Sequence, residues 1–287
     1  MTIRPPSRTA FAAAAHRAAH QVVEHGRIFS DPLAVKILGR SAEEIGEQAR
    51  ADPTRAGMRF FVSARSRIAE DVIAEGVANR GLTQLVVLGA GLDTFAYRNP
   101  HKSLRIFEID HAGTQAWKRQ RLTEAGIAAP EGLTYVAVDF EHDDLMERLA
   151  AAGLDPKLRT FFLWLGVVPY LTRQAIETTL KATASLPGGA EIAFDYGEPP
   201  DRLPLEMREM HERRAKYLAD LGEPFLSMFA PDDLHGMLSA AGYSRIDDMD
   251  AGDMIERFAN PEVLAAAKAR GARRPTAGGH VVIAMTS

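Results

Sequence analysis

Short apolar runs alternate with longer segments of helical spacing along nearly the whole chain. The apolar runs predict strands near residues 85–88, 104–110, 135–138, 160–165, 190–195, 243–246 and 278–285. Helical spacing predicts helices over residues 7–25, 58–79, 111–125, 172–185, 201–221 and 232–241, and a further helix that begins at Asp31-Pro32. Strands that alternate with helices are typical of an α/β fold with a largely parallel sheet.

A glycine turn, Gly89-Ala90-Gly91, follows the first predicted strand. Glycine permits a positive φ, and its missing Cβ lets backbone N–H groups approach a bound molecule closely. A strand, a glycine turn and a helix start form the first half of a nucleotide-binding βαβ unit, although a purely structural turn has the same pattern. Asp110 ends the next strand 19 residues after Gly91, and either Asp110 or Glu108 could hydrogen-bond a ribose.

The glycine pattern favours a single-nucleotide cofactor over a dinucleotide. Thr94 occupies the position of a third glycine, so the close packing of helix on strand at a dinucleotide site is not encoded. An NAD-dependent oxidoreductase is therefore disfavoured.

Composition narrows the class of protein. Apolar residues make up 46% and charged residues 25% of the 287 residues, which is typical of a globular enzyme. The absence of cysteine excludes disulfides, cysteine nucleophiles and thiolate metal sites. A net charge of −4 does not indicate a basic surface that would bind nucleic acid. No apolar run has the length of a membrane helix. We therefore expect a cytoplasmic protein that binds neither nucleic acid nor membranes.

Several motifs carry a resemblance to a known family. The most specific are Leu-Gly-Ala-Gly-Leu-Asp-Thr at residues 88–94 and Phe-Glu-Ile-Asp at residues 107–110. They resemble the S-adenosylmethionine-binding motifs of the leucine carboxyl methyltransferase-like family, which includes many bacterial methyltransferases. Residues 17–21, 28–34, 64–67 and 222–229 are similar to further signatures of this family, so the resemblance covers nearly the whole chain.

The resemblance implies a Rossmann-like, seven-stranded methyltransferase sheet that is mostly parallel, with an antiparallel last strand. An N-terminal helical cap over residues 1–80 would pack on a core of residues 81–287, with a lid at about 197–231 between the fifth and sixth strands. The implied cofactor is S-adenosyl-L-methionine, which leaves as S-adenosyl-L-homocysteine. We expect no metal, because His16 and His20, one helical turn apart, lack the further ligands that a metal site needs.

The resemblance also implies which residues contact the cofactor. The glycine turn and Asp110 would bind its nucleoside. Arg65 would pair with the carboxylate of its methionine part, and a guanidinium fork suits this pairing. Asp139 and Phe140 could bind the adenine amino group and ring, or Asp139 could simply cap the next helix.

The chain departs from the family pattern after the fourth strand, where Leu165-Gly166 replaces the usual Glu-Gly. That glutamate is expected near the cofactor's amino group. Leu165 and Gly166 are still expected at the cofactor, but backbone carbonyls, water or another side chain must meet the ammonium.

Candidate acceptor residues lie in the cap, at strand ends and in the lid. The expected substrate-pocket residues are Gln21, Asp31, Phe225 and Phe229, although phenylalanines more often pack in the core. The candidates for a catalytic base are His20, Tyr170 and Tyr196.

The predicted reaction is direct displacement at the sulfonium methyl by an oxygen of a small-molecule substrate, such as a secondary metabolite. A monomer or homodimer would hold donor and acceptor in line. A carboxylate acceptor is ionised at pH 7, whereas a phenol or alcohol would need a base. The alternatives are methylation of a protein's C-terminal carboxyl and a binding protein that has lost catalysis.

Overall fold

The computed structural model describes residues 6–140, 142–270 and 278–287, and within them seven strands form one sheet. The strands are β1 (Gln84–Leu88), β2 (Arg105–Asp110), β3 (Leu133–Ala137), β4 (Thr160–Trp164), β5 (Ala190–Gly197), β6 (Arg245–Met249) and β7 (Gly279–Met285). Their order across the sheet is β3-β2-β1-β4-β5-β7-β6. β7 is antiparallel to both of its neighbours, whereas the other adjacent strands pair in parallel. The predicted mostly parallel sheet with an antiparallel last strand is therefore confirmed.

Helices connect the strands. They are α1 (Arg8–Val23), α2 (Pro32–Leu38), α3 (Ala42–Ala51), α4 (Ala56–Asn79), α5 (Phe95–Arg98), α6 (Ala112–Glu124), α7 (Leu145–Ala151), α8 (Arg173–Ala184), α9 (Leu205–Asp220), α10 (Pro231–Ala241), α11 (Ala251–Phe258) and α12 (Pro261–Ala269). Side chains of Ser7, Asp31, Ser41 and Thr172 accept backbone hydrogen bonds in the first turns of their helices. A short 3₁₀ turn, Val168–Tyr170, follows β4.

Helices cover both faces of the sheet, which is why β1 and β4 are buried along their whole length. One face packs on α4, where Ile68 and Ile73 are fully buried. The other face packs on α8 and α10, where Ile176 and Leu238 are fully buried. Successive side chains of a strand point to opposite faces, so sequence neighbours reach different layers.

The N-terminal helices, over which the cap is predicted, pack together. α1 packs against α2, α3 and α4. A Cβ added at Gly91 would lie 3.1 Å from the Cβ of Ala10, so the start of α1 rests on the glycine turn. We call the segment that contains α9, between β5 and β6, the lid; that it covers the active site stays a prediction. The boundary between cap and core at residue 80 stays a prediction.

Some element boundaries differ from the sequence prediction. β5 continues to Gly197 because its antiparallel pairing with β7 extends to Gly279. β3 begins at Leu133, before the expected start at residue 135. α11 was not predicted; Asp250 caps it, and its Met254 is buried against the α4 face of the sheet. Among the described helices, none is long and apolar enough to cross a membrane.

Candidate active site

The glycine turn lies where β1, β2 and β4 end side by side. Gly89 has φ +65°, and a Cβ added there would lie 2.6 Å from Cγ2 of Val167, which follows β4. Gly91 donates its backbone N–H to Oδ2 of Asp110 over 2.6 Å. The turn therefore needs glycine at residue 89 and is tied to the acid that ends β2.

Asp110, not Glu108, is the acid at the turn. Its Oδ1 accepts the backbone N–H of His111 at 2.7 Å. Burial raises the pKa of Asp110, and the two backbone hydrogen bonds partly offset that rise. Glu108 lies deeper, 2.8 Å from Nζ of Lys118, and burial raises its pKa to about 6. This geometry favours Asp110 over Glu108 as the ribose ligand, which stays a prediction.

A groove of about 480 Å³ opens next to Asp110. Ser7 at the start of α1, Thr114 on α6 and Glu223 behind the lid helix contribute to its walls. Thr114 also hydrogen-bonds Asp110. The groove thus connects the predicted ribose ligand with both the cap and the lid.

The predicted adenine residues lie at the same edge of the sheet. Asp139 and Phe140 follow β3, which pairs with β2. Asp139 is exposed, and Phe140 packs half-buried against the core. The cap of α7 is Asp144, so the alternative role of Asp139 as the cap of that helix is not seen. Adenine binding by Asp139 and Phe140 stays a prediction.

Arg65 lies in a buried charge pair that the sequence did not predict. Its Nη1 is 2.6 Å from Oδ2 of Asp195, which lies near the end of β5. Oδ1 of Asp195 accepts the backbone N–H of Gly166 at 2.6 Å. Nε of Arg65 is buried and makes no hydrogen bond to the described residues. Leu165 packs half-buried against the α4 face of the core. The signal for Asp195 was an acid near the end of a mostly apolar strand.

His20 and Gln21 have structural partners. Nε2 of His20 accepts the backbone N–H of Ile28 at 3.1 Å, and its Nδ1 lies 3.0 Å from a carboxylate oxygen of Glu24. Oε1 of Gln21 accepts the backbone N–H of Asp31 at 2.9 Å. These contacts hold the connection between α1 and α2, and they do not favour the predicted roles of His20 and Gln21 at the substrate.

Asp31 also has structural partners. It is fully buried and accepts a hydrogen bond from Nε of Arg17 at 2.8 Å. Arg17 in turn donates through Nη2 to the carbonyl oxygen of Leu92, 2.7 Å away. Burial would raise the pKa of Asp31, but Arg17 and Arg98 outweigh it and lower the pKa. The Arg17–Asp31 pair thus holds the backbone directly after the glycine turn. This structural role does not favour contact of Asp31 with substrate.

Tyr196 points to the opposite face of the sheet from Asp195. Its hydroxyl donates to Oδ2 of Asp248 at 2.6 Å, and its ring stacks on His280 at 4.7 Å. Burial, followed by the charge of Asp248, raises the pKa of Tyr196 far above its ordinary value. Phe229 is likewise part of the core on this face. Neither the catalytic role of Tyr196 nor the pocket role of Phe229 is favoured by this placement.

Tyr170, in contrast, meets the lid. Its ring lies 5.6 Å from that of Phe225, which stacks on His211 of α9 at 5.5 Å. The guanidinium of Arg214, also on α9, lies 5.5 Å from the Phe225 ring. We call Tyr170, His211, Arg214 and Phe225 the lid cluster. Tyr170 ends the 3₁₀ turn that follows Gly166, whose backbone N–H donates to Asp195, so the lid cluster and the Arg65–Asp195 pair lie at the same strand ends. Burial raises the pKa of Tyr170, and the charge of Arg214 partly offsets that rise.

His16 faces the same region from α1. Burial lowers its pKa to about 4, and the nearby guanidinium groups of Arg55, Arg214, Arg65 and Arg59 lower it further in that order. The ring makes no hydrogen bond to the described residues. His16 is therefore a neutral imidazole in a positive environment. The sequence showed only the spacing between His16 and His20. It could not show the positive environment of His16, because the arginines that act on this residue come from three other elements.

The lid and the cap are joined directly. Glu223 accepts backbone N–H groups of Arg8 at 2.8 Å and Thr9 at 3.0 Å, and the Thr9 hydroxyl at 2.7 Å. The backbone N–H of Leu226 donates to the carbonyl of Pro169 at 2.8 Å. These hydrogen bonds connect the segment around Phe225 to the start of α1 and to the turn after β4.

Comparisons with known proteins agree with this architecture. A family model described as leucine carboxyl methyltransferase matches residues 10–184. YktD of Bacillus subtilis, named as a proposed S-adenosyl-L-methionine-dependent methyltransferase, is 29% identical over 278 residues, which cover 88% of this chain and 91% of YktD. A Mycobacterium avium protein of the same description is 30% identical over 285 residues, which cover 91% of this chain and 87% of that protein.

A solved structure shows the same fold. It is of a protein from Thermobifida fusca YX that is described as a proposed methyltransferase. It superposes on 99% of this chain and 96% of its own, with a TM-score of 0.57 and 12% identity.

Proposed function

Because the chain belongs to the leucine carboxyl methyltransferase family, we propose that this S-adenosylmethionine-dependent methyltransferase methylates an oxygen atom of a small molecule. The observation that carries the proposal is the lid cluster, which lies at the same strand ends as the Arg65–Asp195 pair.

The residues at the glycine turn fit the cofactor. Nε of Arg65 is a buried donor with no partner in the described chain, as expected of a group that pairs with a ligand carboxylate. We expect the carboxylate of Asp110 to accept hydrogen bonds from the ribose hydroxyls, and Gly89 adopts the positive φ of the turn without strain. When bound, S-adenosylmethionine supplies a methyl group that its sulfonium already activates.

The chain's own task is to place an acceptor oxygen in line with that methyl group. Holding two reactants in reactive geometry removes much of the entropic part of the barrier. Tyr170 and Phe225 bring aromatic side chains to this region, and the lid would exclude water from a bound acceptor.

The electrostatics favour an acidic acceptor. Arg214 forms no ion pair with the described residues and adjoins the neutral imidazole of His16. The guanidinium groups that help to lower the pKa of His16 would favour the ionised form of an acceptor carboxyl, whereas burial would oppose ionisation, as it does at Tyr170. A carboxylate, which is ionised at neutral pH in water, would need no strong general base, whereas a phenol would need one.

The closed lid supports a small-molecule acceptor over a protein tail. Glu223 ties the lid to Arg8 and Thr9 of the cap through three hydrogen bonds. A protein C-terminus would have to open this contact while it enters, whereas a small molecule can be enclosed by it.

The proposal is tested by methyl transfer from isotopically labelled S-adenosylmethionine to a panel of small aromatic acids and phenols. We expect a product that is heavier by one methyl group. Release of the label by mild alkali would identify a carboxyl ester, and resistance to alkali a phenol ether. Binding of the cofactor without transfer to any oxygen in the panel, or transfer only to nitrogen or carbon, would overturn O-methylation.

Two arginines on α9 provide a matched comparison. Arg214→Met should raise KM for an anionic acceptor roughly tenfold or more, because a charge-assisted contact is lost. Arg213→Met removes an exposed charge one residue away and should leave KM unchanged. Equal effects of the two substitutions would remove Arg214 from the acceptor site.

A further inference from the structure

We propose that Asp195 binds the ammonium group of the cofactor's methionine part, with Arg65 on the carboxylate. This inference rests on the proposed function, since it concerns the same site. Leu165 brings no charge to this position, so the ammonium needs another partner.

Asp195 is connected to the glycine turn through Gly166 and Val167, two successive residues that follow β4. Gly166, directly after β4, donates its backbone N–H to Asp195 Oδ1 over 2.6 Å. The next residue, Val167, lies 2.6 Å from where a Cβ of Gly89 would be. The carboxylate therefore borders the crevice at the carboxyl ends of the strands, where ligands of open α/β sheets bind.

The Arg65–Asp195 pair is complementary to an amino-acid zwitterion. A ligand carboxylate on Arg65 and a ligand ammonium on Asp195 would form a second ion pair beside the first, with opposite charges adjacent throughout. Both partners have hydrogen-bonding capacity left. Nε of Arg65 has no partner among the described residues, and each oxygen of Asp195 accepts one hydrogen bond where a carboxylate oxygen can accept two.

Burial makes this arrangement selective. The side chains of Arg65 and Asp195 are 10% and 7% exposed, so water competes little for their remaining hydrogen bonds. A ligand that carries the carboxylate but lacks the ammonium would leave Asp195 without its second partner. Discrimination between such ligands is what separates a binding role from a purely structural tie between α4 and β5.

The test is isothermal titration calorimetry with S-adenosylhomocysteine and with its analogue that lacks the amino group. In the wild type, the analogue should bind roughly 10- to 100-fold more weakly. Asp195→Asn keeps an acceptor for Gly166 and should weaken S-adenosylhomocysteine by a similar factor while barely changing the analogue. Asp195→Glu, which keeps the charge, should restore part of the preference.

Asp248→Asn is the matched control, because Asp248 is a buried acid on the opposite face of the sheet. It should keep the wild-type preference for S-adenosylhomocysteine. If the wild type binds both ligands equally, or Asp195→Asn keeps the preference, Asp195 does not bind the ammonium although the proposed function stands. If Asp195→Asn does not fold, the wild-type comparison of the two ligands and the Asp195→Glu variant still decide. A wild type that binds neither ligand would instead refute the proposed function.

Discussion

Acidification should reveal the environment of His16. Burial and then the charges of Arg55, Arg214, Arg65 and Arg59 lower the pKa of His16 from 6.5 to about 4. The unfolded chain therefore takes up a proton on this residue near pH 6.5, whereas the folded protein does so near pH 4. At pH 7 the imidazole is neutral in both states.

This difference makes stability depend on pH. The contribution of neutral His16 is fully present above pH 6.5. As the pH falls toward 4, the unfolded state binds a proton that the folded state does not, so the free energy of unfolding decreases. A lowering from 6.5 to about 4 corresponds to roughly 3 kcal/mol across this window. His16→Gln lacks the imidazole, so its stability should fall less steeply than that of the wild type.

Urea unfolding between pH 4 and pH 7 measures this effect, and NMR titration of the imidazole signals gives the pKa of His16 directly. His142→Gln, at a side chain that is 75% exposed, controls for the loss of a histidine as such. If His16 titrates near pH 6.5, or if wild type and His16→Gln lose stability in parallel, its surroundings are neither desolvated nor positive. The electrostatic argument for an acidic acceptor would then fail.

Two further substitutions test the support of the glycine turn. Asp31→Ala removes the partner of buried Arg17 and should cost about 3–5 kcal/mol of unfolding free energy, measured by urea denaturation. Gly89→Ala places a Cβ at φ +65° and 2.6 Å from Val167. Strain and overpacking should together cost about 2–5 kcal/mol, and calorimetry should show weaker binding of S-adenosylhomocysteine.

Each substitution has a control in the chain. Asp71→Ala breaks partly exposed pairs with Arg67 and Arg257 and should cost about 1 kcal/mol or less. Gly81→Ala has nearly the same φ, +68°, but no atom within 4 Å of the added Cβ, so it isolates the backbone strain. A loss for Asp31→Ala no larger than for Asp71→Ala would contradict the supporting role of the buried pair. Equal losses for the two glycine variants would show that Val167 yields to the added Cβ.

Much of the fold was predictable because the strongest signals are local. Apolar runs that are buried on both faces predicted β1 and β4, and cap residues such as Ser7 and Thr172 marked helix starts. The extension of β5 to Gly197 was not predictable, since it depends on pairing with β7 from the far end of the chain.

Less of the candidate site than of the fold could be predicted from the sequence. The glycine turn and Asp110 follow a spacing rule and lie together as expected. His16 was passed over because its lowered pKa depends on arginines from α4, the lid and the turn before α4. His20 was chosen instead, and the structure gives it partners within its own connection. Local spacing cannot distinguish a histidine that faces residues of other elements from one that hydrogen-bonds within its own loop.

The clearest case is the end of β5, where Tyr196 was chosen and Asp195 was not. The two are adjacent in the sequence, and strand geometry sends them to opposite faces. Asp195 reaches Arg65 and Gly166 beside the glycine turn, whereas Tyr196 reaches Asp248. A shift of one residue in strand register would exchange them. The register is set by pairing with β4 and β7, so the sheet as a whole determines that the acid lies beside the glycine turn and the phenol in the opposite layer.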